Sequence, residues 1–240
     1  ELFPYETPFH SKLAQLYLID KQYSKALPHF KTALMDQDSS IKLLMGAALC
    51  CVKLELMKEA VHYLEQALKK DPLNPSIYAE LISVKIRQKE YQEAFHICEQ
   101  WISVNPSDIT GYLNYGWLAI QIGEYEKGVL FLRKNEEYFN SNGNYAYCLA
   151  RLFIGRQNDA LAEEYFKKSI SLVPEKKHEV CYQYALLLHR QNRFEEALKI
   201  LEAALMDNPE HALTNNKKKY KILNLNNKHN EALVYIEKAD

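Results

Sequence analysis

The sequence predicts an all-α fold of antiparallel helix pairs, and three recurring features indicate it. The first is a small residue, usually alanine, followed four residues later by a large apolar residue or cysteine. Successive small residues lie 34 positions apart four times and then 35 positions apart twice. This nearly constant period indicates a structural unit that is repeated and stacked along the chain. The seven small residues are Ala26, Ala60, Ala94, Gly128, Ala162, Ala197 and Ala232.

The second feature is a proline that follows the small residue by twelve positions in four of the repeats. Because proline lacks an N–H and clashes with the preceding turn, it ends a helix and marks a boundary between repeats. These prolines are Pro72, Pro106, Pro174 and Pro209. Pro28 lies near the start of a predicted helix, where few backbone bonds are lost, and we expect that helix to tolerate it.

The third feature is a residue pair that lies eleven to thirteen positions before the small residue in five of the repeats, such as Leu13-Ala14 or Tyr184-Ala185. Together the features predict two amphipathic helices per repeat, A and then B, joined by a polar turn such as Asp20-Lys21-Gln22. One such hairpin cannot bury its own apolar face, so the hairpins must stack.

We therefore predict a single domain over residues 1–240 with seven repeats. The last repeat is degenerate or a cap, because its first helix is polar and rich in lysine. The predicted boundaries lie near 7–40, 41–74, 75–108, 109–142, 143–177, 178–212 and 213–240.

The period, the Leu-Ala or Tyr-Gly pair, the Ala-x3-Phe-x2-Ala stretch and the closing proline resemble the tetratricopeptide repeat over essentially the whole chain. The resemblance implies a right-handed superhelical solenoid that serves as a scaffold or peptide-binding surface.

Two repeats depart from the family pattern. Trp101 stands where alanine is usual and Cys98 where an aromatic is usual, an exchange one turn apart that could conserve volume. Asn140 replaces the closing proline, which predicts either a wider, more mobile joint or an ordinary tight turn.

The resemblance also implies a concave surface formed by positions 2, 5, 6 and 9 of the A helices. We expect Trp117 to be a partly exposed anchor there, near Tyr147 of the next repeat, and Trp101 to be buried. Ala79, Ser83 and Cys148 belong to the same predicted lining. The candidate binding residues are Met45, Leu49, Leu113, Asn114, Trp117, Tyr147, Arg151, Tyr182, Gln183 and Leu186. This largely apolar lining suits an extended peptide or a helix with apolar anchors, although some of these residues could simply pack against neighbouring A helices.

No catalytic motif, phosphate-binding glycine loop or cofactor site is recognisable, so we predict that the chain is not an enzyme and uses no cofactor. His62 and His96 share a repeat position but lack a third ligand, so no metal site is predicted. Paired acids such as Glu136-Glu137, Glu163-Glu164 and Glu195-Glu196 are interpreted as solvated, some of them partnered by lysine at helical spacing. The first repeat lacks the lysine and asparagine of the family's chaperone-tail clamp, and the third repeat lacks its lysine and arginine, so that function is not expected.

Composition limits the partners. Thirty basic and 31 acidic residues give a net charge of −1, which offers no general attraction to nucleic acid or to an anionic membrane. No apolar run is long enough to span a bilayer. The five cysteines show no Cys-x-x-Cys spacing, so we expect buried thiols in a reducing compartment, the cytoplasm.

The predicted function is a protein-interaction module or scaffold for a peptide or helix of a partner. The first alternative is a regulatory or targeting arm of an enzyme whose catalytic domain lies outside these residues. Nucleic-acid binding through the lysines at 217–221 is the third hypothesis, and the neutral net charge argues against it. The sequence does not identify the partner or the oligomeric state.

Overall fold

The computed structural model describes residues 6–35, 40–172 and 177–207. These residues form thirteen α-helices and no strand, which confirms the predicted fold class. The helices are α1 (Glu6–Ile19), α2 (Tyr23–Ala33), α3 (Ile41–Lys53), α4 (Met57–Lys70), α5 (Pro75–Arg87), α6 (Tyr91–Val104), α7 (Ile109–Ile122), α8 (Tyr125–Lys134), α9 (Glu136–Phe139), α10 (Gly143–Gly155), α11 (Asp159–Leu172), α12 (Lys177–Arg190) and α13 (Phe194–Asp207). The predicted seventh repeat with its lysines, Pro174 and Pro209 lie outside the described residues.

The chain divides into two compact units, Glu1–Leu118 and Ala119–Asp240. In the first unit, α1 packs on α2, α3 on α4 and α5 on α6, while α2 contacts α3 and α4 contacts α5. In the second unit, α10 packs on α11 and α12 on α13, with α8 against α10 and α11 against α12. Each described unit is therefore a series of stacked helix pairs.

The recurring small residues lie inside the helix pairs. All six within the described ranges are buried, and the five alanines among them have no exposed surface. At Gly128 even a methyl group would not fit, since a Cβ atom would lie 2.8 Å from the Ala119 Cβ and 2.6 Å from a Leu152 methyl. The predicted role of the small residues, to let helices A and B approach closely, is confirmed.

Every A helix of the six described pairs ends in the same turn. One residue adopts a positive φ of 57° to 81°, and the next residue donates its N–H to the carbonyl five positions earlier at 2.8–2.9 Å. This is the Schellman arrangement, which satisfies carbonyls left free at a helix end. The left-handed residues are Lys21, Glu55, Lys89, Gly123, Gln157 and Asn192.

The prolines behave as predicted where the structure describes them. Pro72 and Pro106 lie in the short loops that follow α4 and α6. Asn74 then begins α5 by accepting a hydrogen bond from the Ser76 N–H at 3.1 Å. Helix α2 continues through Pro28 without a break, as expected.

Three glycines receive an aromatic ring from the preceding helix pair. A Cβ atom on any of them would lie 2.1–2.5 Å from a ring carbon, closer than real side chains approach. Replacing any of these glycines would therefore require the ring to move. The pairs are Gly46 with Phe30, Gly111 with Trp101, and Gly155 with Tyr125.

Trp101 is buried, as predicted, with 1% of its surface exposed, and its ring centroid lies 4.6 Å from that of Tyr78. The volume exchange with Cys98 predicted from the sequence is not the whole explanation. Gly111, on the next helix, leaves the space in which the edge of the Trp101 ring sits. Tryptophan at an alanine position is thus accommodated by a glycine ten residues later.

The joint at Asn140 is a turn held by hydrogen bonds. Asn135 ends α8 and its side chain donates to the Phe131 carbonyl at 2.9 Å. Asn142 caps α10 by accepting from the Tyr145 N–H, and the buried Tyr145 hydroxyl donates to the Leu132 carbonyl at 2.6 Å. These bonds favour the tight-turn alternative for this joint.

The interpretation of the paired acids is confirmed in one respect, because Glu163 pairs with Lys167 at helical spacing at 2.7 Å, but Glu136 and Glu163 are not solvated as expected. Their side chains are only 20% and 15% exposed. Glu136 accepts from the Tyr165 hydroxyl at 2.8 Å, and Glu163 pairs with Arg193 at 2.6 Å. Both carboxylates therefore tie one helix pair to the next, a contact that local sequence spacing does not reveal.

Candidate functional site

The first unit contains an apolar pocket of about 250 Å³ on the side formed by its A helices. It lies between α1, α3 and α5, with α4 behind it, and includes two of the predicted binding residues, Met45 and Leu49. We call it the α3 pocket. Its lining residues are Leu18, Lys42, Met45, Gly46, Ala48, Leu49, Val52, Leu64 and Glu80.

Helix α3 supplies most of the lining because its sequence places apolar residues at helical spacing. Met45, Leu49 and Val52 follow one another at intervals of four and three residues and so share one face. Met45 is half-buried and Leu49 is exposed, whereas Leu64 at the back of the pocket is fully buried. The pocket therefore offers accessible apolar side chains backed by packed core.

Gly46 lets the backbone of α3 form part of the pocket wall. The Phe30 ring occupies the space that a side chain at residue 46 would need, at 2.5 Å from the position of a Cβ atom. The pocket and the packing of α2 on α3 consequently share this glycine.

Two of the nine lining residues are charged, Lys42 on α3 and Glu80 on α5, and both are exposed. Ser40 caps α3 by accepting a hydrogen bond from the Leu43 N–H at 3.4 Å, which places Lys42 in the first helical turn. The positive end of the helix dipole adds to the positive potential of that lysine.

The three candidate residues on α7 also belong to the first unit. Leu113, Asn114 and Trp117 are half-buried and share one side of the helix by their spacing. They do not line the α3 pocket. Trp117 thus keeps part of its ring in contact with solvent, while Trp101 does not.

In the second unit, four polar residues of α10 and α12 form one hydrogen-bonded cluster. Arg151 donates to the Tyr147 hydroxyl at 3.3 Å, and that hydroxyl donates to Glu179 at 3.5 Å. Gln183 also donates to Glu179, at 3.2 Å. The structure brings together three predicted residues, Tyr147, Arg151 and Gln183, while Tyr182 and Leu186 lie half-buried on α12 beside them in sequence.

Two members of the predicted lining are more covered than expected. Tyr147 is largely buried, and burial raises the pKa of its hydroxyl, which therefore remains a hydrogen-bond donor at neutral pH. Cys148 has no exposed surface, so its predicted place in the lining is wrong: its side chain packs in the core.

The cysteines offer no activated nucleophile. All five are buried, as predicted, and none of them forms a disulfide. Burial raises the pKa of the Cys50 and Cys51 thiols to about 11 and that of Cys98 to about 12, so the thiolate is scarce at neutral pH.

His62 and His96 make the same contact in neighbouring repeats. Each ring nitrogen Nε2 lies 3.0–3.1 Å from the side-chain nitrogen of the glutamine four residues later, Gln66 or Gln100. Within the described part of the chain, no cluster of three or more histidine, cysteine, aspartate or glutamate side chains is placed to hold a metal ion.

The sequence prediction did not include Lys42 and Glu80 of the α3 pocket or Glu179 of the cluster on α10 and α12. Lys42 and Glu179 occupy repeat position 2, and Glu80 occupies position 6, which are inward-facing positions in the same register that selected Met45 and Leu49. The repeat positions alone would have included these three residues.

Comparison with known proteins identifies the repeats. A profile of the tetratricopeptide repeat matches residues 17–84, and a second tetratricopeptide repeat profile matches residues 178–211. The chain therefore contains tetratricopeptide repeats over these residues. Over 120 residues, half of its length, the chain is 23% identical to the tetratricopeptide repeat-containing protein trd-1 of Caenorhabditis elegans. This stretch spans only 16% of that relative's length.

Solved tetratricopeptide repeat structures share the fold. A repeat protein from Parabacteroides merdae is similar over 98% of this chain and 92% of its own, with a TM-score of 0.66 and 18% identity. A thermophilic repeat protein from Thermus thermophilus is similar over 81% of this chain and 100% of its own, with a TM-score of 0.55 and 17% identity. At these identities the likeness establishes the helix-pair architecture alone.

Tetratricopeptide repeats generally mediate protein–protein interaction and are generally non-catalytic. None of the helices in the described ranges is both long and apolar enough to cross a membrane.

Proposed function

We propose that this chain is a protein-interaction module that holds a large apolar side chain of a partner peptide in the α3 pocket. The observation that carries the proposal is the pocket itself, with Leu18, Met45, Leu49 and Val52 around a space of about 250 Å³. The general role of the family in protein–protein interaction supports it.

The size and chemistry of the pocket suit a side chain rather than a small polar metabolite. An apolar cavity of about 150 Å³ can hold benzene, so a larger space accepts a leucine, methionine or phenylalanine side chain. Apolar anchors that fill such pockets dominate the affinity of many interfaces. Because Leu49 is exposed, water would leave its surface when a ligand side chain enters.

The remaining inward-facing residues are proposed as further contacts. In the first unit these are Leu113, Asn114 and Trp117, where the partly buried Trp117 can pack against a partner. In the second unit, Arg151, Gln183 and Glu179 form a polar cluster beside Tyr182 and Leu186. Its donors and acceptors can bind the backbone or polar side chains of a peptide.

The test compares two leucines of equal exposure. Leu49 and Leu56 are both 38% exposed, but only Leu49 lines the pocket. Peptides are first selected on the wild-type chain from a random displayed library, and their affinities for Leu49→Glu and Leu56→Glu are then measured by fluorescence anisotropy.

Leu49→Glu should weaken binding at least about tenfold, because it places a carboxylate where an apolar side chain must enter. Leu56→Glu should bind like wild type. Equal affinities of the two variants, with both retaining the helical circular dichroism spectrum, would refute the proposal.

A further inference from the structure

The α3 pocket is bordered by opposite charges on neighbouring A helices. Lys42 stands on α3 and Glu80 on α5, and both side chains are exposed. Neither forms an ion pair or a side-chain hydrogen bond with another residue in the described ranges. The other seven lining residues carry no charge.

We infer that the α3 pocket recognises a short sequence pattern in the partner peptide, and this inference rests on the proposed function. The pattern is an apolar residue with an acidic residue on one side and a basic residue on the other. Both charged side chains border the space that the apolar side chain enters, so their partners must lie close to it along the peptide. In an extended chain, residues rise about 3.3 Å apart and alternate in direction. The matching charges therefore belong one or two positions from the anchor.

The arrangement sets the direction in which the peptide lies. A peptide with its acid over α3 and its base over α5 meets an opposite charge on each of the two helices. The same peptide reversed meets a like charge on each helix, which disfavours it. The dipole of α3 strengthens this preference, because Lys42 lies in its first turn.

The test exchanges the two charges without changing the net charge. Displayed peptides with a central leucine and random flanks are selected on the wild-type chain, on Lys42→Glu/Glu80→Lys, and on the pocket variant Leu49→Glu. A control exchange, Lys58→Glu/Glu65→Lys, reverses two exposed charges of α4 that do not line the pocket.

On wild type and on the control exchange, the enriched peptides should carry an acid and a base on opposite sides of leucine, in one fixed order. The pocket exchange should select the reverse order. A synthetic peptide of each order should change affinity about three- to tenfold between wild type and the pocket exchange, since exposed charge pairs are individually weak. The difference should shrink at high salt because the charges are exposed.

Two results would overturn the inference, and they are distinguishable. If all chains except Leu49→Glu enrich leucine peptides with the same flanks, the pocket binds without reading charge, and the proposed function stands. If Leu49→Glu enriches the same peptides as wild type, the pocket is not the binding site, and the proposed function fails with the inference.

Discussion

Replacing Gly111 by alanine tests whether that glycine exists to receive the Trp101 ring. The added Cβ atom would lie 2.5 Å from Cδ1 of Trp101 and 2.7 Å from Cγ1 of Ile102. Trp101 is 1% exposed and cannot swing into solvent, so the helices must separate. Overpacking of this kind costs about 1–3 kcal/mol. In an open helix, the same change would instead stabilise by up to about 1 kcal/mol through helix propensity.

We therefore expect Gly111→Ala to destabilise the chain by about 1–2 kcal/mol. Thermal unfolding followed by circular dichroism should show a midpoint about 2–8 °C lower, since 1 kcal/mol corresponds to about 2–4 °C for a chain of this size. The control is the same change in a Trp101→Leu background, where the smaller side chain leaves room for the methyl group. There the part of the cost that comes from the ring should disappear and only the contact with Ile102 should remain, giving a coupling energy of about 1 kcal/mol or more. A midpoint that rises in Gly111→Ala, or a cost that is unchanged in Trp101→Leu, would refute the reasoning.

Two further predictions concern packing and acid stability. Ala60 is fully buried on α4, so Ala60→Leu should lower stability by about 1–3 kcal/mol in urea unfolding, whereas Lys69→Leu on the exposed side should be nearly silent. Equal midpoints for the two would show that the repeat register is wrong. The hydrogen bond from Arg193 lowers the pKa of Glu163 from its usual 4.5 to about 2, so the carboxylate stabilises the fold above about pH 4.5 and this is lost as the pH falls towards 2. Glu163→Gln should therefore have a lower urea midpoint than wild type at pH 7. The gap should close between about pH 4.5 and pH 2, and a gap that is constant with pH would contradict the assignment.

The arrangement of helix pairs could be predicted because close packing of two helices requires small residues at fixed sequence positions. Ala26 and its equivalents must be small wherever helices A and B meet, so they recur at the period of the fold. The turns that end the A helices show no comparable sequence pattern. A left-handed residue usually suggests glycine, but here lysine, glutamate, glutamine and asparagine adopt it at five of the six turns. The Schellman hydrogen bonds stabilise that conformation, and these bonds involve only backbone atoms.

The candidate site was predictable in part. The repeat register led to Met45 and Leu49, because a residue's position in a helix fixes which side of the helix it occupies. Lys42 and Glu80 share that register, but the prediction did not include them. The contact between Glu163 and Arg193 could not be predicted from the sequence, because thirty residues separate the partners and no local spacing relates them.

Because some glycines face an aromatic ring of the preceding repeat, the repeats of this chain are not interchangeable. Each ring and its glycine lie in successive repeats. Their packing is therefore a property of the junction between two repeats and not of either repeat alone. Duplicating or exchanging a single repeat would separate the two halves of a junction, leaving the Trp101 ring against a side chain or Gly111 against an empty space. A chimera that retains stability must therefore be cut within a repeat, so that both sides of each junction are inherited together. Over evolution, such paired positions would hold the order of the repeats constant even where their sequences diverge.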